Sequence, residues 1–210
     1  MASVALPAPP RSGAQLPAVY PPAPVRRFTV QEYHRMIEVG ILTDDDDVEL
    51  LEGWIIPKMS RNHPHDSTIE FVDEALRALL PGGWRLRIQS AITTSDSEPE
   101  PDLTVVQGSA RSREGHHPVP REIGIVVEVA DSTLAQDRTE KQRIYARAAL
   151  PMYWIINLVD RQVEVYTDPT GPDPVPQYRQ VQVFQPGDNV PLVIAGQQVG
   201  LIPVASLLPA

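Results

Sequence analysis

Gly124-Ile125-Val126-Val127-Glu128-Val129-Ala130 is a nearly continuous apolar run whose one charge is Glu128. Such a run reads as a strand covered on both faces. An ionised carboxylate inside it is costly to bury without a cation or several donors. Either Glu128 stands at a sheet edge facing water, or the fold compensates it. Working upstream, Leu103 to Gln107 is a second strand, entered from Pro101-Asp102, and Trp84, Leu86 and Ile88 alternate with Arg85, Arg87 and Gln89 as in a half-buried third. Before these, from His65, apolar Ile69, Val72, Leu76 and Leu79 keep a 3.6-residue period until Pro81-Gly82-Gly83 ends it. Downstream, Asp137-x-x-Glu140 reads as the start of a second long helix, with Ile144, Tyr145, Ala148 and Ala149 on its inner side, ending before Pro151. Met152 to Val159 and Gln162 to Thr167 then read as a strand pair across Asp160-Arg161. The central order is helix, three strands, helix, strand, which predicts an α/β or α+β sandwich.

The flanks add smaller pieces. Thr29-x-x-Glu32 is a capping box, followed by Val30, Tyr33 and Ile37 at helical spacing and a stop at Gly40, which predicts a short helix over 29–39. Asp44 to Asp47 lead into Val48, Leu50 and Leu51, a Glu52-Gly53 turn and Trp54-Ile55-Ile56, the pattern of a hairpin. Residues 108–121 read as an exposed loop. After a loop marked by Pro169, Pro172, Pro174 and Pro176, further strands are expected over Tyr178 to Phe184, Val190 to Ile194 and from Val199. Residues 1–26 hold too little apolar surface to offset ordering entropy and read as a disordered proline-rich arm, leaving 27–210 as a single domain.

Composition excludes several classes. With 42% hydrophobic residues a core can form, but no apolar run approaches the roughly 18 residues of a membrane span, and early prolines break any signal-peptide pattern, so a soluble, cytoplasmic protein is expected. Zero cysteines exclude disulfides, thiolate metal sites and a cysteine nucleophile, so any metal would be held by oxygen or histidine. A formal charge of −9 argues against coating nucleic acid by bulk electrostatics, though a local basic groove is compatible with it. Only two lysines, Lys58 and Lys141, stand among 18 basic residues, so the placing of each invites a question.

Asp102 alone reads as a turn residue. Together with Glu128, however, it is one of two acids offered by successive strands, and hard cations such as Mg²⁺ take carboxylate oxygens and water. Lys141 follows Asp137 by one helical turn and Tyr145 lies one turn further on; the pattern fits an exposed ion pair, or an amine held over the two acids to contact a phosphate or steer a water. His65 at a helix start fits a cap or a ligand, and Glu49 alternates with Val48 and Leu50 as a strand surface residue does.

In order along the chain, Val48-Glu49-Leu50-Leu51-Glu52-Gly53, His65, Pro101-Asp102-Leu103, Val126-Val127-Glu128-Val129, Asp137, Glu140-Lys141, Tyr145-Ala146, Tyr153-Trp154-Ile155-Ile156 and Val163-Glu164-Val165-Tyr166 resemble the Uma2 family of restriction-endonuclease-like proteins. The likeness runs from about Arg27 to Leu208. It implies the PD-(D/E)xK nuclease fold and a hydrolase that cuts DNA phosphodiesters with Mg²⁺ or Mn²⁺, with no membrane partner. It implies Asp102 and Glu128 as metal-binding acids, the Val129 carbonyl as a further ligand, Lys141 as the catalytic lysine, and Glu49 and His65 as metal-ligand or water-positioning groups. In the commonest form of the motif the lysine sits two residues after the second acid; here that position is Ala130, and the lysine comes from the following helix. Ala130-Asp131-Ser132 stands where relatives carry a Ser-Pro pair, which adds an acid. Arg85 and Arg87 on one strand face, and Arg111, Arg113 and Arg121 in the loop, are the expected phosphate contacts. Double-strand cutting would suit a homodimer. The competing readings are a non-catalytic nucleic-acid or protein-binding module on the same fold, and a hydrolase of small phosphate esters.

Overall fold

The computed structural model describes residues 25–209 apart from 44, 60–61, 110 and 112–113. All but the last two residues of the proline-rich arm, and Arg113, lie outside the described residues. A six-stranded mixed sheet runs in chain order: β3 (Trp84–Ile88), β4 (Leu103–Gln107), β5 (Ile123–Ala130), β6 (Met152–Asn157), β7 (Gln162–Pro169) and β8 (Tyr178–Phe184). Every neighbouring pair is antiparallel except β5 and β6. A parallel pair needs a crossover, and the helical segment from Leu134 to Arg147 supplies it. This is the expected helix, three strands, helix, strand core, with the first helix at α2 (His63–Arg77).

Residue parity divides β5 between two layers. Ile125, Val127 and Val129 face a core built with Ile69, Val72 and Leu76 of α2 and with the hairpin β9 (Asn189–Ile194) and β10 (Gln197–Pro203). Val126 and Ala130 face the opposite core, which contains Ile144, Tyr145 and Ala146 of α4 (Gln142–Arg147). All eight residues of β5 are buried, as the apolar run predicts. Glu128 has the parity of Val126 and Ala130 and so belongs on the α4 side.

Outside the sheet, the Thr29 capping box is formed and opens α1 (Val30–Glu38). The hairpin β1 (Val48–Leu51) and β2 (Trp54–Pro57) turns at Glu52-Gly53, where both residues adopt positive φ and Gly53 lies under the Phe28 backbone. Glu52 receives bonds from Arg143 (2.9 and 2.7 Å) and from Arg147, which tie the hairpin to α4.

The second helix departs from the reading of its sequence. It begins at Leu134, as α3 (Leu134–Gln136), widens into a π-helical turn over Asp137–Lys141, and continues as α4. Asp137 therefore caps nothing. It is buried, and its carboxylate accepts a bond from Thr133 Oγ1 four residues earlier (2.7 Å). Ala149 is exposed because the chain has already left the helix there, with φ +56°, and Ala146 takes the inner place instead.

Candidate active site

The register of β4 on β5 pairs Leu103 with Val127, so the preceding residue of one strand and the following residue of the other, Asp102 and Glu128, come opposite each other on one face. Their bonds interlock. The Val129 N–H donates to Asp102 Oδ2 (2.8 Å), and the Asp102 N–H lies 3.4 Å from Glu128 Oε2. From the helix above, Lys141 Nζ donates to Glu128 Oε1 (3.0 Å) and Tyr145 O–H donates to the same oxygen (2.5 Å). Four residues separate the lysine and the tyrosine, one helical turn, which lets both reach one atom.

Two further elements close the pocket. β1 brings Glu49, whose Oε1 is 3.6 Å from Lys141 Nζ and whose Oε2 accepts from the Glu100 N–H (3.1 Å). α2 brings His65 around the end of the sheet, its Nε2 3.2 Å from Asp102 Oδ2. Asn62 and not His65 caps α2, its side chain accepting from the His65 N–H. The pocket, about 80 Å³, is lined by Glu49, His65, Asp102, Val129, Asp137 and Lys141 and also by Lys58 and Glu100, which pair at 2.8 Å.

Charge dominates this space. Burial pushes the Glu128 carboxyl up to about 8; the Lys141 ammonium and the Tyr145 hydroxyl oppose that rise, while the charges of Asp102 and Asp137 add to it. Burial likewise raises Asp137 to about 6, against the pull of Lys141 and Thr133. Burial alone would discharge Lys141, but the carboxylates of Glu128, Glu49 and Asp137 outweigh it and hold the amine charged, above its ordinary range. Burial also disfavours charge on His65, yet its bond to Asp102 wins and raises it. One buried cation thus faces several buried acids, a surplus of negative charge that favours a further cation.

Asp102, Glu128, Lys141, Glu49, His65 and Val129 are therefore brought together in one place. Among the described residues no three His, Cys, Asp or Glu side chains already form a metal cage; the Lys141 ammonium occupies the ground between Glu49 and Glu128. The arginines stand apart. Arg85 lines a shallow depression with Arg77 and Trp84, its Nε buried without a hydrogen bond; Arg87 and Arg121 line a neighbouring groove; Arg111 is exposed in the loop. Sequence reasoning did not single out Asp137, Glu100 or Lys58 for the site. The scarcity of lysine was the available signal, since both lysines of the chain line this one pocket.

A family model described as "Uma2: Putative restriction endonuclease" matches residues 30–205. No curated protein matches the chain. Among solved structures, a "putative nuclease belonging to DUF820" from Anabaena variabilis ATCC 29413 is similar in fold, with a TM-score of 0.63 at 18% identity, over 86% of this chain and 97% of that one. Among the described residues no helix is long and apolar enough to cross a membrane.

Proposed function

The chain belongs to the Uma2 family of restriction-endonuclease-like proteins, and from that premise we propose that it is a metal-dependent endonuclease hydrolysing DNA phosphodiester bonds. One observation carries the reading: two buried acids paired across adjacent strands, Asp102 and Glu128, share a pocket with a buried lysine from the next helix.

The donor set fits a hard divalent cation, Mg²⁺ or Mn²⁺. Carboxylate and carbonyl oxygens are the ligands such ions take, and Asp102, Glu128, Glu49 and the Val129 carbonyl would supply them. The Lys141 ammonium, bridging Glu49 and Glu128, already stands in for a positive charge there. When bound, the ion supplies Lewis acidity and a more acidic water. The chain's own residues do the rest. The Val129 N–H and His65 Nε2 both fix Asp102 Oδ2 and so set the orientation of that carboxylate. Tyr145 and Lys141 do the same for Glu128 through Oε1. Lys141, charged and shielded from solvent, orients the attacking water and offsets negative charge as it grows on the phosphate, where a preorganised cation acts with little reorganisation.

Incubating the purified protein with plasmid and with single-stranded DNA, plus Mg²⁺ or Mn²⁺, beside an Asp102→Ala control, tests the reading. Cleavage that needs both the metal and Asp102 is expected; its absence on every DNA rejects the assignment.

A further inference from the structure

The acid pocket is one end of a longer channel. Gln89 and Glu100 line both that pocket and a second depression of about 300 Å³, which also takes in Tyr33, Arg87 and His117. Arg87, Glu98 and His117 in turn line a third, of about 830 Å³, together with His34, His116 and Arg121. Three of the five histidines in the chain are gathered here, beside two arginines, in a protein whose formal charge is −9. Bulk charge cannot draw in a polyanion, so grip must be local.

The floor of the channel is built so that its acids, Glu38, Glu98 and Glu100, do not repel one. Glu98 is buried, and His34 Nε2 lies 2.8 and 2.7 Å from its two oxygens while Thr93 Oγ1 donates to one of them at 2.7 Å. His117 Nε2 stands 4.0 Å away. The donors cover this carboxylate, and the other acids of the lining are paired too, Glu38 with Arg35 (3.0 Å) and Glu100 with Lys58 (2.8 Å), so that Arg121 and the imidazoles are left to meet a ligand. Ile37 and Val119 add apolar wall, and the His116 ring is anchored through its Nδ1 to the His117 carbonyl (2.9 Å).

Cations interleaved with flat rings are the chemistry that holds single-stranded nucleic acid: the cations contact phosphates and the rings stack on bases. A duplex keeps its bases stacked inward, away from such rings. The third depression also falls within the roughly 300–1,000 Å³ of sites that engulf small ligands, which suits a nucleotide or two. Resting on the phosphodiesterase reading above, we propose that this channel binds an unpaired stretch of DNA, a phosphate on Arg121 and bases against His116 and His117, and so delivers a single strand to the acid pocket.

The test uses the full chain carrying Asp102→Ala, in Mg²⁺, with fluorescence anisotropy on one labelled oligonucleotide, free or annealed to its complement. The single strand is expected to bind at least about tenfold more tightly than the duplex, and adding His116→Ala with Arg121→Ala, both exposed positions, is expected to weaken the single strand by about tenfold, one stacking contact's worth, with little change for the duplex. Equal or tighter duplex binding, or single-strand affinity unmoved by the double substitution, overturns the proposal. Failure of the nuclease reading looks different. A wild-type protein that cleaves no DNA, with single-strand binding still sensitive to His116 and Arg121, ends the catalytic assignment and leaves the channel standing as a single-strand site.

Discussion

Glu128→Gln is expected to stabilise the metal-free protein while abolishing cleavage, and to do so in a pH-dependent way. Burial holds the folded carboxyl at about 8, against 4.5 for an ordinary glutamate. Between those values the unfolded chain gives up the proton and the folded chain keeps it, so each pH unit removes about 1.4 kcal/mol of stability. By pH 7 the accumulated cost is roughly 3 kcal/mol. Glutamine keeps an oxygen for the Tyr145 hydroxyl and the Lys141 ammonium but cannot ionise, and Lys141 retains Glu49 at 3.6 Å. A chain of this size gains about 2–4 °C in Tm per kcal/mol, so the variant should melt about 6–12 °C above wild type at pH 7, and the gap should shrink toward zero near pH 4.5. Thermal melts of both proteins from pH 4.5 to 8.5 in EDTA, followed by circular dichroism, measure it. A gap that stays constant with pH, or that narrows as pH rises, would show that Lys141 keeps Glu128 ionised throughout and would refute the argument.

The remaining expectations concern the same pocket and its hairpin. Lys141→Met leaves the carboxylates of Glu49 and Asp137 without their shared cation and should cost about 3–5 kcal/mol in urea unfolding at about pH 7; an unchanged midpoint would contradict that charge balance. The guanidinium of Arg143, and with it Arg147, holds the Glu52 carboxyl down at about 2 despite partial burial, so its contribution is fully present above pH 4.5 and lost as pH falls toward 2. Glu52→Gln should therefore cost about 1–2 kcal/mol at pH 7, allowing for solvent screening, flatten the acid side of the stability profile, and slow cleavage by loosening the hairpin that carries Glu49; parallel profiles for the two proteins would count against it. Gly53→Ala places a Cβ 2.8 Å from the Phe28 carbonyl oxygen at φ +78° and should destabilise by at least about 1 kcal/mol, read as a lowered Tm.

The sheet was legible because its strands carry their environment in their pattern: alternation in β3, an unbroken apolar run in β5. The pairing of Asp102 with Glu128 was less so, since register is set by hydrogen bonds between segments far apart in sequence, and parity shows only which face each acid takes. The channel was illegible for the same reason, its histidines arriving from positions 34, 116 and 117 around an acid at 98. Asp137 was misread because Asp-x-x-Glu is a local signal for a helix start, whereas its hydroxyl partner Thr133 lies upstream and nothing local announces a π-helical turn. Such turns interrupt helices frequently at functional positions. Two breaks in regularity, the charge in the apolar strand and the widened turn in the helix, meet where Lys141 Nζ bonds Glu128 Oε1 at 3.0 Å across thirteen residues of sequence. Both irregularities work against stability if taken singly: a buried acid raised to about 8, and a helix that gives up its even spacing. Their coincidence at one contact is a departure from local consistency of the kind expected at functional or strained positions, and it is the reason the cleavage assays above are aimed at these residues.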